Sequence, residues 1–184
     1  MTGIASRGQL RMSFLRYALF TVPAVLLLGT ISGRIANSGY GNPWFDALRK
    51  PAAMPEGWVF GVVWALLYVL LGLSLAMILH ARGARGRGRA VGLFLAQLAL
   101  NYSWSPVFFG FHRIGTALGV IAAMIVLTLA CIAFFWRIRR SAAALLLPYV
   151  AWIGFAAYLT AEIDRLNPGA SQLVPGEVSS DIAL

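Results

Sequence analysis

Residues 97–110 read QLALNYSWSPVFFG, and Gln97, Asn101, Trp104 and Phe108 within them are spaced +4, +3, +4. On a helix that spacing places two amides and two aromatic rings on one face. Phe60, Trp64 and Tyr68 form a second such stripe. Tyr149, Trp152, Ala156 and Thr160 form a third, with Phe155 beside it. Rings interleaved with a few amides and hydroxyls suit the stacking of a flat, mostly apolar molecule. They do not suit bond breaking. Glu162 and Asp164 are two apart and point to different helix faces. No nucleophile stands beside a base, and there is no phosphate-binding loop or metal-ligand spacing. No catalytic residue and no metal site is assigned.

The elements that carry these stripes follow from composition. The chain has 184 residues, 60% hydrophobic and 11% charged, with mean hydropathy +0.78. A soluble domain carries about 25% charged residues. Apolar runs near the roughly 20 residues a bilayer crossing needs recur at about 12–33, 57–80, 90–111, 116–136 and 142–163. The runs are continuous rather than alternating, which excludes strands. The expected fold is therefore an all-α integral membrane bundle of five transmembrane helices. It forms one domain over 1–166, with a disordered tail over 167–184. The first run follows Arg7, Arg11 and Arg16, as a cleaved leader would. It is long for one and holds Gly29 and Gly33, so it reads as a retained helix.

Charge gives the orientation. Three arginines precede the first run (Arg7, Arg11, Arg16) and four lie between the second and third (Arg82, Arg85, Arg87, Arg89). Three more follow the fourth (Arg137, Arg139, Arg140), making ten on one side. The other side holds five, Arg34, Arg49, Lys50, Arg113 and Arg165, and all six acids. Ten against five places the N-terminus in the cytoplasm and the C-terminus outside. The net charge of +9 is then a topology signal whose partner is anionic membrane lipid, not nucleic acid. Trp58 and Trp136, at run ends, fit an interfacial belt. Cys131, alone and mid-run, reads as a packing residue. His80 and His112 fall on opposite sides.

One long connection separates the first two spans: RIANSGYGNPWFDALRKPAAMPE, residues 34–56. Its glycines, prolines and asparagines punctuate it with turns. Trp44, Phe45 and Leu48 would make one apolar face of a short helix, so the loop is expected to fold back over the bundle. The alternative is an interfacial turn with Trp44 at headgroup level. With the topology above, Trp64 and Trp104 lie at similar depth and Trp152 near the midplane, and all converge beneath this loop as a pocket. The same rings could instead be core packing, and Asn101 an ordinary interhelical bond. Pro106 removes a backbone donor and frees the carbonyl of Tyr102, so the third span should bend; Pro148 should act likewise in the fifth. Gly88, Gly92 and Ala96 lie four apart, a small-residue ridge that permits close helix contact.

The stretches PWFDALRKP (43–51), PEGWVFGVVWALLY (55–68), QLALNYSWSPVFF (97–109) and PYVAW (148–152), followed by Leu166–Asn167, resemble the translocator protein family. Its members are also called tryptophan-rich sensory proteins or peripheral-type benzodiazepine receptors, and this chain resembles a bacterial one. The resemblance implies a five-helix bundle, often a homodimer, with a pocket closed by the first loop. It implies binding of porphyrins such as protoporphyrin IX, of sterols or of benzodiazepine-type drugs, with no required cofactor. The implied role is a membrane sensor or receptor in tetrapyrrole or stress regulation. The alternatives are a porphyrin carrier and an enzyme of light-dependent porphyrin breakdown. Trp44, Pro51, Trp64, Asn101, Trp104, Phe108, Tyr149 and Trp152 match the family's pocket and loop pattern. Arg34, Arg49 and Lys50 would meet ligand carboxylates at the mouth. The chain departs from the pattern at Ala53 where the family has Trp, at Pro55–Glu56 where it has a Pro pair, at Phe45 where it has Tyr, and at Thr160 where it has Asn. The loss at 53 implies a weaker stacking wall.

Overall fold

The computed structural model describes residues 7–170, and every regular element among them is helical. Helix α1 spans Arg7–Ile35, α2 Pro43–Ala47, α3 Gly57–His80 and α4 Arg87–Ser105, which runs on as a π-helical turn over Pro106–Gly110. Helix α5 spans Ile114–Ile138, α6 Arg140–Ala144 and α7 Leu147–Leu166. Among the described residues four stretches are long and apolar enough to cross a membrane: Met12–Ile35, Gly57–His80, Ile114–Ile138 and Arg140–Leu166. The run expected at 90–111 is occupied by α4 and the π turn. At 19 residues, with Arg87 and Arg89 in its first turn, α4 is not one of the four.

Two prolines shape the chain as their chemistry requires. Pro106 has no N–H to give, and the freed carbonyl of Tyr102 accepts the hydroxyl of Ser32 on α1 instead. The backbone widens to π geometry there, with Phe111 N–H donating to the Pro106 carbonyl at 2.8 Å. The expectation for Pro148 is corrected. It does not bend a continuous helix but sits in the first turn of α7, where a missing donor has no consequence. The expected span at 142–163 is accordingly divided by a turn at 145–146.

Close approach of α1 and α3 depends on glycine. A Cβ at Gly72 would lie 2.6 Å from the Val22 Cα, and Thr21 Oγ1 donates to the Gly72 carbonyl at 2.8 Å. Deeper at that end, Ser74 Oγ donates to the Ala142 carbonyl at 2.8 Å, and Phe94 stacks on Phe135 at 5.7 Å between centroids. Leu71, Ile78, Phe94, Phe135 and Leu146 are fully buried around them, with Cys131 packed in the same cluster. This arginine end, carrying residues 81–89 and 137–140, is packed solid. The opposite end, carrying residues 36–56, is not.

Residues 36–56 fold back on the bundle. Asn42 caps α2, accepting from Phe45 N–H at 3.1 Å and donating to the Asn37 carbonyl at 3.0 Å. The apolar face expected from Trp44, Phe45 and Leu48 is present, all three being buried. The start of the expected tail is also ordered. Asn167 Nδ2 donates to the Arg49 carbonyl at 2.9 Å while its Oδ1 accepts from Arg49 N–H at 2.8 Å. Trp44 Nε1 donates to the Ala170 carbonyl at 2.8 Å. The rest of that tail, 171–184, lies outside the described residues.

Candidate ligand-binding site

The loop end of the bundle encloses a cavity of about 800 Å³. Each of the three stripes contributes to its wall: Phe60, Trp64 and Tyr68 from α3, Asn101, Trp104 and Phe108 from α4 and the π turn, and Trp152 and Thr160 from α7. Helix α1 adds Gly29, Gly33 and Arg34, and the 36–56 segment adds Tyr40, Phe45 and Met54. Gly29 has a specific reason to be glycine, since a Cβ there would lie 2.3 Å from the Tyr68 ring carbons. Trp104 stacks on Phe108 at 5.1 Å and 12°. Phe60 meets Trp152 edge-on at 5.8 Å, and Trp64 lies 5.3 Å from Tyr68.

Asn101 is the polar centre of the inner wall. Its Oδ1 accepts the Tyr68 hydroxyl at 3.1 Å and its Nδ2 donates to the Tyr149 hydroxyl at 3.0 Å. Tyr149 in turn donates to Gln97 Oε1 at 3.4 Å. The two indole donors differ. Trp104 Nε1 and Trp152 Nε1 are buried with no hydrogen-bond partner among the described residues, and both side chains border the cavity. A buried unsatisfied donor costs about 1–3 kcal/mol. Among the described residues Arg34 is the one charged residue on the lining, and no carboxylate accompanies it there. The site can stack a flat ring system and hold an anion at its rim.

Some expected residues lie elsewhere. Tyr149 is fully buried behind the wall, holding Asn101 rather than lining the cavity. Phe155 packs behind Trp152 at 5.6 Å. Trp44 belongs to the cover: it stacks on His112 at 4.4 Å and 13° and meets Phe108 edge-on at 5.4 Å. Pro51 is buried within the same segment. Lys50 turns inward, its Nζ donating to the Phe45, Asp46 and Leu48 carbonyls at 2.8–3.3 Å. A cation beside freed helix carbonyls needs no ligand to be stable there. Arg49 is exposed on the far side of the loop. Ala53 is exposed and outside the lining, and Met54 stands on the wall instead. Met54, Tyr40 and the Trp44–His112 stack carry no periodic signal, because the turns of 36–56 bring them into place. Gly88, Gly92 and Ala96 lie on the exposed face of α4, where a Cβ on either glycine would meet nothing within 4 Å among the described residues.

The sequence profile of the TspO/MBR family matches residues 21–166. The chain belongs to the TspO/MBR family. It is 38% identical over 126 residues to the tryptophan-rich sensory protein of Cereibacter sphaeroides, covering 68% of this chain and 78% of that one. It is 34% identical over 144 residues to the human translocator protein, covering 77% and 85%. The tryptophan-rich protein TspO of Archaeoglobus fulgidus is 34% identical over 147 residues, covering 80% and 94%. Together with the four apolar helices, this makes the chain a TspO/MBR membrane protein.

Proposed function

We propose that this TspO/MBR protein is a membrane sensor or receptor that binds a flat tetrapyrrole such as protoporphyrin IX in the cavity at its loop end. One observation carries the reading: the rings of Phe60, Trp64, Trp104, Phe108 and Trp152 line a cavity of about 800 Å³ with Arg34 at its rim. A macrocycle would stack on the rings of this wall, while Arg34 meets a propionate at the rim. A sterol would use the apolar wall but leave Arg34 without a counter-ion. The solid arginine end supports a sensor over a carrier, because passage to that side would have to unpack Phe94, Phe135 and Leu71.

The test is a titration of the purified protein with protoporphyrin IX, following tryptophan fluorescence. Saturable quenching is expected, weakened about tenfold in Trp152→Phe, the loss of one stacked indole being worth about 1.4 kcal/mol. The dimethyl ester should bind less tightly than the diacid. Absence of saturable quenching in the wild type would remove the reading.

The proposed setting is five crossings, with α4 and its π turn as the third, the N-terminus cytoplasmic and the C-terminus outside. It rests on the arginines of 81–89 and 137–140 at one end and Asp46, Glu56, Glu162 and Asp164 at the other. A cysteine in place of Arg85 should react with a membrane-impermeant maleimide only from the cytoplasmic side. Anionic lipid is the proposed partner of that end. A second copy is the proposed partner of the outward ridge on α4. Gly92→Leu should then convert a detergent-solubilised dimer to monomer, and an unchanged oligomer would exclude the ridge as the contact.

A further inference from the structure

The cavity wall is exposed chiefly along one line. Among the residues that border it, Thr30 and Arg34 on α1, Gly57, Gly61 and Ala65 on α3, and Asn37, Ser38 and Tyr40 at the loop end between them are exposed, whereas Phe108 and Asn101 opposite are buried. Gly57, Gly61 and Ala65 are four apart and share one edge of α3, about 12 Å long at 1.5 Å per residue. Together they mark a slit along the α1–α3 seam, from Ser38 and Arg34 at the loop down to Ala65. Beyond that point the seam shuts, first where Tyr68 lies on Gly29, then where Gly72 meets Val22. The Tyr40 ring covers the slit at Gly57, where a Cβ would lie 2.9 Å from it, and there is room below. A Cβ on Gly61 would meet no heavy atom within 4 Å among the described residues, and one on Gly33 only Ser38 Oγ at 3.9 Å.

The α2 side of the cover is tied down. Trp44 Nε1 holds the Ala170 carbonyl, Asn167 holds both backbone groups of Arg49, and Asn42 Nδ2 reaches the Phe109 carbonyl at 3.5 Å. Lys50 closes the segment on itself through three carbonyls. Lifting it would break these bonds together and expose Trp44, Phe45 and Leu48, each at most 4% exposed. Along the slit itself, from Arg34 to Ala65, no hydrogen bond named above joins α1 to α3; α1 is held at that depth to α4, through Ser32 and the Tyr102 carbonyl.

We infer that the ligand enters sideways from the bilayer, through the slit between α1 and α3, rather than from water beneath the 36–56 segment. This rests on the reading of the cavity as a ligand site. Both slit walls belong to stretches long and apolar enough to span a membrane, so the opening faces acyl chains. An apolar ring system dissolved there passes between the helices without entering water. Arg34, at the slit's loop end, retains a carboxylate at headgroup depth as the ring slides inward. The ligand class is therefore a planar amphiphile that partitions into the membrane, with its acid groups on one edge.

Stopped-flow tryptophan quenching decides the route, with the protein in phosphatidylcholine nanodiscs and protoporphyrin IX delivered from phosphatidylcholine vesicles. Gly61→Leu is expected to slow association by about tenfold, as a bulky side chain standing in a narrow passage would. Asn167→Ala, which loosens the cover without touching the slit, is expected to leave the association rate unchanged. Association of Gly61→Leu at the wild-type rate overturns the route, as does faster association in Asn167→Ala. Saturable quenching with those rates would leave the ligand reading standing. A wild type that never saturates ends both.

Discussion

Gly72→Leu is expected to destabilise the fold by about 3 kcal/mol, the upper part of the range for overpacking a filled interior. The reason is the identity of the atoms in the way. A Cβ at Gly72 would sit 2.6 Å from the Val22 Cα and 3.0 Å from its backbone nitrogen. Backbone cannot rotate aside as a long side chain can, so α1 as a whole must retreat from α3. That retreat also breaks the bond from Thr21 Oγ1 to the Gly72 carbonyl. Close backbone contact at small residues is a main source of helix affinity in a membrane, where lipid competes for every other apolar surface. Denaturant unfolding in detergent would measure the effect. The companion variant Gly61→Leu should fall within about 0.5 kcal/mol of wild type, as at an open site. Equal stabilities for the two would mean that α1 and α3 do not meet at Gly72.

The contrast between these glycines shows what could be read from the sequence and what could not. The apolar runs gave the ends of α3 to the residue and placed the cores of α1 and α5, since hydrophobic length is written directly in composition. The three helical stripes named most of the rings that the long helices give the wall, because helical periodicity fixes which side chains share a face. The freed Tyr102 carbonyl was also legible from Pro106 alone, although its partner Ser32 was not. Side-chain direction inside 36–56 was opaque. Nothing local says that Lys50 will turn onto the carbonyls of α2 while Arg34 remains on the rim, or that Pro51 will be buried and Arg49 exposed. Tyr149 shows a subtler limit. It shares a stripe with Trp152, but that stripe is wider than the cavity, so one ring lines it and the other lies behind. The tail was misread from Asn167 to Ala170 because its composition is polar and Gly-rich. Its order comes from bonds to Arg49 and Trp44, more than a hundred residues away in the chain.

Asn101→Leu is expected to cost about 2 kcal/mol, and Tyr149 decides that magnitude. Interhelical hydrogen bonds in membranes average only about 0.6 kcal/mol, because a separated helix finds other partners. Tyr68 has such a way out, since its hydroxyl borders the cavity and can turn toward it. Tyr149 does not. It is fully buried, receives the Asn101 amide at 3.0 Å and otherwise reaches only Gln97, at 3.4 Å. Removing Asn101 alone therefore strands a hydroxyl oxygen in an apolar interior, which costs about 1–3 kcal/mol. Removing both partners should cost less than removing one. Asn101→Leu combined with Tyr149→Phe is expected to recover at least half of the loss, a coupling of about 1 kcal/mol in a double-mutant cycle. Porphyrin affinity should follow a different order. Tyr149→Phe leaves every wall residue in place and should bind nearly as wild type. Asn101→Leu releases Tyr68 from its fixed orientation and should bind severalfold more weakly. Additive losses of stability in the double variant would show that Asn101 and Tyr149 are not bonded in the folded protein. Equal affinities in the two single variants would show that Asn101 supports the fold without shaping the cavity.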